Sequence, residues 1–548
     1  MILVIDVAAD PGRTATVLAE RGLRPDRIIR RDALKLGRLA ATMRELRKVR
    51  ADVCYIFCRQ LHTQFNRLPL KMMAVLSGAR SIHFCDEQET GPELTRAGIL
   101  ARDVPLYFWR CLYALAVAFG FLIAYSLVWI GVRISRPPAR AEGRCRRLCY
   151  IKTDFWHDLK AGGSVTHTRE FVNAGSDLGY DIAVFACDPL VHYRLKPEVE
   201  VVEPSAGLYD LPILVSQLEY NIRFPLAVWW RLRGTAVDGI YQRHSSNNFS
   251  GVTLSLLLRV PFLLEFNTPL AWAAKNWSAG VPTLPRLCEN LNLRGAFQVG
   301  VVSQALRQNL LSMGVSGAKV IVNPNGVDPR RFGPHVDTAS VRSQMPAGRL
   351  LVGFIGVFGQ WHGVLTLMRS VKHVVRAFPD AHFVIVGDGA LKHRMTEILT
   401  QDGTTDHVTF VGLVKHDLAP AYLNACDILV SPHEDMADGS PFFGSPTKIF
   451  EYMACGKGIV ASKVGQLGDL FRHEQDALLV EQRDEVQLAE AIVRLLRDSP
   501  LRERLGAAAR RKAIASYTWE ENFRRAVARP PIAEGSQSLC SRVAETRA

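Results

Sequence analysis

A lysine and a glutamate lie three residues apart in the stretch FFGSPTKIFEYMACGKGIVAS, residues 442–462. Ser445 is a good N-cap for a helix, and Pro446 suits a first turn because it lacks an N–H. Lys448 in that turn is unfavourable by about 0.3–1 kcal/mol unless an anion binds there, and phosphate is the usual anion. Glu451, one turn further on, could accept hydroxyl protons from a sugar. The alternative is a capped amphipathic helix with two solvated charges.

Two glycine-rich loops could bring backbone amides to the same ligand. Gly162 and Gly163 lie in LKAGGSVTH, after a predicted strand and before a predicted helix. Gly356 and His362 lie in GFIGVFGQWHG, in the same position of a later strand–helix unit. Glycine permits close backbone approach, and the next helix offers its N-terminus. Each loop alone could be an ordinary turn, but together with the Lys448 helix they favour a phosphate site.

Strands and helices alternate along most of the chain, which predicts parallel sheets covered on both faces. One such unit begins at RLCYIKTD, residues 147–154, and another at RLLVGFIG, residues 349–356. Ligands of doubly wound units bind at the carboxyl ends of the strands, so we expect a cleft between the two units. A smaller α/β module precedes them, in residues 1–100.

Composition narrows the classes of function. Of 548 residues, 48% are hydrophobic and 22% charged, which suits several globular α/β domains. A net charge of +14 fits an anionic membrane surface or an anionic substrate. Nucleic acid is disfavoured because no zinc-finger or RNA-binding signature occurs. The eleven scattered cysteines indicate a reducing compartment, and no spacing suggests a metal site.

Residues 111–132 form a run of twenty-two residues without a charge, long enough to cross a bilayer as a helix. Arginines follow this run, at positions 133, 136, 140, 144, 146 and 147. The positive-inside rule assigns that side to the cytoplasm. Because Arg102 and Arg110 flank the other end, a single span and a re-entrant or in-plane hairpin near Gly120 both stay open. The remaining alternative is a buried core helix. The candidate interfacial anchors are Trp109, Tyr113, Tyr125 and Trp129.

Seven motifs occur in an order that resembles the retaining nucleotide-sugar glycosyltransferases of family four. They are NPNGVDPRRF (residues 323–332), VIVGDGALKHRM, VTFVGLV, ACDILVSP, SPTKIFEYMACGKGIVAS, DALLV and YTWEENF. The resemblance covers residues 147–530 and implies a GT-B fold, in which two Rossmann-like domains face a cleft. It implies a nucleoside-diphosphate sugar as donor, no cofactor and no obligatory metal. LLEFNTPLAWAAKNW and the WHG loop resemble a subgroup of surface-polysaccharide and glycolipid assembly.

By this resemblance Glu451 is the second glutamate of an E-x7-E motif and binds the donor ribose. The first glutamate of the motif falls on Phe443, so its sugar contact must come from elsewhere. The candidate replacements are Glu434, Asp435 and Asp438.

The usual arginine and lysine of the family fall near Val357 and His362, which leaves Lys448, His362 and backbone amides to bind the diphosphate. A donor-side histidine falls on Asn267. Arg243 and His244 are expected near the acceptor.

We therefore predict five segments: an α/β module (1–100), a membrane segment and basic linker (101–146), an acceptor domain (147–335), a donor domain (336–530) and a polar tail (531–548). The predicted catalytic residues are Lys448, Glu451 and His362. The predicted donor-binding residues are Gly162, Gly163, Gly356, Ser445, Thr447 and Glu451. The predicted protein transfers a sugar to a saccharide or lipid-linked acceptor at the cytoplasmic face of the inner or plasma membrane. The alternative is a non-catalytic binding or assembly protein with the same fold.

Overall fold

The structure is a computed structural model that describes residues 1–8, 11–30, 34, 36–58, 61, 64–135, 146–155, 159, 162–277 and 281–528. It contains three sheets, of five, seven and six strands. Most of the basic linker and the polar tail lie outside the described residues. All nine cysteines that the structure describes are free.

The first sheet has the strand order β2-β1-β3-β4-β5, with only β5 antiparallel to its neighbour. Its strands are β1 (Ile2–Asp6), β2 (Arg27–Arg30), β3 (Val53–Phe57), β4 (Ser81–Cys85) and β5 (Leu94–Thr95). The accompanying helices are α1 (Pro11–Glu20), α2 (Leu36–Leu46), α3 (Arg67–Leu76) and α4 (Arg96–Gly98). A π-helical turn, Ile99–Asp103, leads into helix α5 (Val104–Ile134). Helix α5 runs without a break through Gly120, so no hairpin forms there.

The second sheet is wholly parallel, with the order β12-β11-β10-β9-β6-β7-β8. Its strands are β6 (Arg147–Lys152), β7 (Asp181–Ala186), β8 (Val199–Val201), β9 (Gly239–Arg243), β10 (Phe262–Phe266), β11 (Gln298–Val301) and β12 (Val320–Val322). The helices of this region are α6 (Gly163–Asp177), α7 (Ile213–Leu232), α8 (Ser250–Leu258), α9 (Leu270–Asn276), α10 (Thr283–Gly295) and α11 (Gln304–Ser312). Buried apolar strands such as FLLEF are typical of a parallel sheet covered on both faces.

The third sheet is also parallel, with the order β15-β14-β13-β16-β17-β18. Its strands are β13 (Leu350–Ile355), β14 (Ala381–Val386), β15 (Val408–Gly412), β16 (Ile428–Ser431), β17 (Gly458–Ser462) and β18 (Leu478–Val480). Its helices are α12 (Ala339–Arg342), α13 (Val364–Ala377), α14 (Lys392–Gln401), α15 (Ala419–Ala425), α16 (Thr447–Cys455), α17 (Gly465–Leu470), α18 (Glu485–Arg497) and α19 (Ser499–Ser516).

The last helix, α20 (Trp519–Val527), returns from the third sheet to the second. Phe523 packs against Phe171 of α6, with ring centroids 4.9 Å apart. Thr518 caps α20 by accepting a hydrogen bond from the N–H of Glu521 at 3.1 Å, as expected for half of a capping box.

The chain divides into two compact units. The first comprises Met1–Ile134 and Val202–Arg231, and the second comprises Ser135–Val201 and Leu232–Ala548. The second and third sheets therefore share one unit. Helix α7 belongs almost wholly to the other unit, although the sequence analysis assigned it to the acceptor domain.

Candidate functional site

Helix α16 carries the lysine and glutamate that opened the sequence analysis. Its buried residues include Ile449, Phe450 and Met453, and it ends at Gly456 with φ 71°, as predicted. The prediction that Ser445 is the N-cap is wrong, because the helix begins at Thr447 after Pro446 and has no side-chain cap. The Ser445 hydroxyl instead accepts a hydrogen bond from the N–H of Asn325 at 3.1 Å.

Lys448 is buried in the first turn of α16, with only 8% of its surface exposed. Its Nζ lies 4.0 Å from the centroid of the Phe354 ring and 3.4 Å from Nδ1 of His362. A Cβ at Gly356 would lie 2.9 Å from this nitrogen, so the glycine makes room for the amine. Burial lowers the pKa of Lys448 to about 7, although Glu451 opposes the shift. Among the described residues no carboxylate lies within ion-pair distance of Lys448.

Two histidines support the lysine. His362 Nδ1 lies 3.2 Å from Nε2 of His433, whose Nδ1 lies 3.0 Å from the hydroxyl of Ser431. Burial, and then the charge of Lys448, lower the pKa of both imidazoles below the ordinary histidine value. Both rings are therefore neutral at pH 7, and the ring nitrogen of His362 can accept a hydrogen bond from the Lys448 amine.

His433 was not predicted from the sequence. Its position just after strand β16, at the carboxyl end of a parallel sheet, is a usable signal.

Glu451 lies one turn after Lys448 on the same helix and is 7% exposed. Burial raises the pKa of Glu451 to about 7, against the lowering effect of Arg331. In the described part of the chain its carboxyl has no ion-pair partner. Helix α16 thus carries two buried ionisable groups, both with a pKa moved towards neutrality, which is a feature of functional sites.

A second group of charges surrounds Glu265 at the end of β10. His167 Nε2 lies 2.8 Å from its carboxylate, Tyr241 donates a hydrogen bond at 2.7 Å, and Arg243 lies 3.5 Å away. Burial alone would raise the pKa of Glu265, but His167 and then Arg243 and Tyr241 hold it at about 2. Asn267, the position of the family's histidine, also donates to Glu265. This carboxylate is fully partnered.

A line of polar contacts joins the two groups. Helix α6 begins at Gly163, after Gly162 with φ 120°. From this helix, His167 Nδ1 lies 2.8 Å from Oδ1 of Asn325. The amide of Asn325 in turn donates to the Ser445 carbonyl at 2.6 Å and to the Thr447 hydroxyl at 3.4 Å. The predicted residues Gly163, Ser445 and Thr447 therefore belong to one connected region, and Asn325 links them.

The two residues expected at the acceptor differ in their placement. Arg243 donates to the hydroxyl of Ser164, beside the glycine-rich loop, at 2.6 Å. The expectation for His244 is wrong, because its side chain is buried, lies 3.4 Å from Glu289 and stacks on Phe266.

Phe443 occupies the position of the missing carboxylate and packs edge-on against Trp272 of α9, with centroids 5.2 Å apart. Of the three proposed replacements, Asp438 accepts a hydrogen bond from Trp272 Nε1 at 2.7 Å. A second aromatic pair joins the same two domains, because Trp277 stacks on Trp361 at 5.6 Å. These tryptophan contacts were not predicted from the sequence.

The other two replacements are engaged within the donor domain. Glu434 accepts hydrogen bonds from Thr366 and Arg483, at 2.7 and 3.1 Å. Asp435 accepts from the N–H of Phe442 and from Gln482, at 2.8 and 2.7 Å. Both carboxylates thus hold loops in place.

Two protein families match this chain. Residues 161–331 match Glycosyltransferase Family 4, and residues 349–498 match Glycosyl transferases group 1. The second match contains Lys448, Glu451, His362 and His433.

Two mycobacterial relatives cover different shares of the chain. A GDP-mannose-dependent alpha-(1-6)-phosphatidylinositol monomannoside mannosyltransferase of Mycobacterium tuberculosis is 28% identical over 228 residues, 41% of this chain and 59% of that protein. A phosphatidyl-myo-inositol mannosyltransferase of Mycobacterium leprae is 26% identical over 369 residues, 65% of this chain and 90% of that protein. The chain thus spans about three fifths of the length of the first of these relatives.

Among solved structures, HepE of Anabaena in complex with UDP superimposes with a TM-score of 0.53 at 20% identity. The superposition covers 72% of this chain and all of HepE, and it confirms the expected fold. The chain therefore contains a glycosyltransferase family 4 domain and a glycosyltransferase group 1 domain, arranged in a GT-B fold.

Proposed function

We propose that this protein transfers a sugar, with retention of configuration, from a nucleoside-diphosphate donor to a saccharide or lipid-linked acceptor. The observation that carries the proposal is a pair of buried ionisable groups on α16, Lys448 and Glu451, neither of which has an ion-pair partner among the described residues. A buried charge without a partner is costly, so such a pair is retained where a ligand supplies the partner.

Lys448 is the residue that meets the diphosphate. Negative charge grows on the leaving diphosphate as the glycosidic bond breaks, and a positioned cation lowers that barrier. The neutral His362, held by His433, fixes the amine, while Gly356 leaves space beside it. Arrival of the diphosphate raises the pKa of Lys448, because an opposite charge favours the ammonium form.

Glu451 acts on the nucleoside side of the donor. As a carboxylate it accepts hydrogen bonds from the two ribose hydroxyls, the role that the family resemblance implies. Because burial raises its pKa to about 7, donor binding weakens as the pH falls below that value. The aromatic pairs Trp272–Phe443 and Trp277–Trp361, which join the two domains, would enclose the sugar between them.

The membrane part of the proposal rests on α5 and on the relatives. The names of both mycobacterial relatives refer to phosphatidylinositol lipids, which supports a lipid-linked acceptor. Helix α5 is long and apolar enough to enter a bilayer. The arginines that follow it favour the cytoplasmic face of the inner or plasma membrane, with the acceptor presented at that surface.

The test is release of nucleoside diphosphate by the purified full-length protein in detergent, from a panel of nucleotide sugars. We expect one donor to be turned over, and Glu451→Gln and Lys448→Ala to reduce that turnover. Glu490→Gln, an exposed glutamate of the same domain, is the matched control. Turnover of no donor, or full turnover by both site variants, would contradict the proposal.

The second candidate is a non-catalytic protein that binds nucleotide sugars. Phe443 favours it, since an aromatic ring stands where the resemblance expects a carboxylate. Binding of nucleoside diphosphates without any release from nucleotide sugars would support this candidate.

A further inference from the structure

Helix α5 is apolar except for Arg110 near its start and Arg133 near its end. It spans 31 residues, or about 46 Å at 1.5 Å per residue. Only Val117, Phe121 and Val128 are buried within it. Exposed apolar side chains extend from Phe108 to Ile134, which excludes the buried core helix that the sequence left open. An apolar surface of this length needs a partner.

The start of α5 is fixed to a segment that belongs, in sequence, to the second sheet. Arg110 of α5 forms an ion pair with Asp210. The N-terminal module contacts the same segment, because the N–H of Asn66 donates to the carbonyl of Leu211 at 3.3 Å and Phe65 packs on Tyr209 at 4.8 Å. Module, helix and segment 202–231 thus form one packed unit.

The middle of α5 contacts the same segment. A Cβ at Gly120 would lie 3.3 Å from the terminal methyl of Ile222 on α7. Leu226 and Trp230 follow Ile222 at intervals of four residues, so they continue the same ridge of α7. They are 50% and 58% exposed. Helix α7 therefore extends the apolar surface of α5.

Chain connectivity limits how this surface can meet a bilayer. Segment 202–231 leaves the second sheet after β8 and returns to it at β9, so it lies on the same side of a membrane as that sheet. The N-terminal module packs on this segment and shares that side. A spanning α5 would leave Ile134 on the far side, only twelve residues before β6.

Those twelve residues would have to recross the bilayer. They contain four arginines, at positions 136, 140, 144 and 146. Twelve residues are too few for a spanning helix, and any other backbone with these charges would lose its hydrogen bonds in the hydrocarbon region, so the segment cannot cross against lipid. A single span is therefore incompatible with the fold of this chain.

We propose that α5 lies in the plane of the membrane and embeds its exposed face in one leaflet, together with Leu226 and Trp230 of α7. The N-terminal module and both glycosyltransferase domains then lie on the same side. At the end of the helix, Arg133 stacks on Trp129 at 3.8 Å, a pair suited to the headgroup region of an anionic bilayer. This proposal rests on the membrane part of the proposed function.

Membrane sidedness is the first test. The full-length chain carries an epitope tag at each terminus, and protease is added to sealed inside-out vesicles and, separately, to spheroplasts of the bacterial host. We expect both tags to be digested in the vesicles and both to be protected in the spheroplasts. Opposite protection of the two tags would overturn the proposal, as would recovery of the protein in the soluble fraction.

The role of α7 is tested by flotation with vesicles of phosphatidylcholine and phosphatidylglycerol. The double variant Leu226→Glu/Trp230→Glu should reduce the bound fraction at least severalfold. Ile514→Glu, 44% exposed on α19, is the matched control and should bind like the wild type. Equal melting temperatures exclude misfolding. Unchanged flotation of the double variant would show that α7 does not contribute to membrane binding.

Donor turnover in detergent separates this proposal from the proposed function. The α7 double variant should keep wild-type turnover, since neither of its residues lies among the donor-site residues. A protein that turns over a donor but shows opposite sidedness of its tags would refute the in-plane helix alone. A protein with in-plane sidedness and no turnover would refute the enzymatic function alone.

Discussion

Two buried glutamates of this protein have opposite surroundings. Glu265 receives hydrogen bonds or ion pairs from His167, Tyr241 and Arg243, and its pKa is held at about 2. Glu451 has no ion-pair partner among the described residues, and burial raises its pKa to about 7. The helix of Glu451 also carries Lys448, whose pKa burial lowers to about 7.

These surroundings distinguish a buried charge that stabilises the fold, Glu265, from buried charges that can bind a ligand, Lys448 and Glu451. A buried ion with all its partners contributes to a unique fold, and removing it leaves the partners uncompensated. A buried ion without an ion-pair partner costs stability until a ligand binds beside it. Its pKa shifts so that the neutral form is favoured. Substitution at Glu265 should therefore change folding, whereas substitution at Lys448 or Glu451 should change donor use.

The largest effect is expected for Glu265→Ala, which leaves the buried His167 and the half-buried Arg243 without their carboxylate. We expect a loss of about 3–5 kcal/mol in stability, visible as a lower melting temperature. Because the folded pKa of Glu265 lies below the ordinary glutamate value of 4.5, the stabilisation is present above that value and lost as the pH falls towards 2. In the Glu265→Ala variant, the melting temperature should therefore depend less on pH in this acidic range. A wild-type melting temperature would show that the cluster is not structural.

Next in size is the effect of Lys448→Ala on turnover. Removing one preorganised group that stabilises a leaving anion costs about 10²–10³ in rate. The variant should melt no lower than the wild type, because a buried amine without an ion-pair partner costs stability in the empty protein. Single-turnover rates and thermal melting measure the two effects. Normal turnover by Lys448→Ala would show that another group stabilises the leaving diphosphate.

Glu451→Gln should have a smaller effect, on donor affinity. Losing hydrogen bonds to a charged acceptor costs about 1.5–3 kcal/mol, or roughly 10- to 150-fold in the dissociation constant. Titration with the donor found in the panel measures this change, with Glu490→Gln as control. Wild-type affinity in the variant would show that Glu451 does not bind the donor ribose.

The smallest effect is expected from chelation. In the described ranges no group of three histidine, cysteine, aspartate or glutamate side chains is arranged for a metal ion. A helix end and Lys448 can bind the diphosphate instead, so turnover in excess chelator should equal the untreated rate. Full dependence on added magnesium or manganese would contradict this prediction.

Local features of the donor helix were predictable from sequence, and its partners were not. The spacing of Ile449, Phe450 and Met453 and the stop at Gly456 follow from helix periodicity and glycine geometry. The partner of Ser445, by contrast, is Asn325, 120 residues away in sequence. No local preference reports such a contact, so the N-cap was misassigned.

Tertiary contacts that local sequence does not report also explain the orientation of α5 and the burial of His244. The apolar run of α5 was evident from composition, yet its orientation depends on Arg110 meeting Asp210, a pair set by tertiary packing. His244 looked available because it follows a strand, but Glu289 and Phe266 bury it. Strand ends identify where ligands bind, and packing decides which side chains reach them.

The most direct test of the central claim is proton uptake on ligand binding. UDP and GDP are titrated calorimetrically at pH 8, in buffers of different ionisation enthalpy, where the free nucleotides are already fully ionised. With a pKa of about 7, Lys448 is neutral in the empty protein at this pH and becomes protonated when a diphosphate binds beside it. We predict net uptake of protons by the wild type and none by Lys448→Met. Binding without proton uptake, or the same uptake in the variant, would contradict the assignment of Lys448 as the diphosphate's partner.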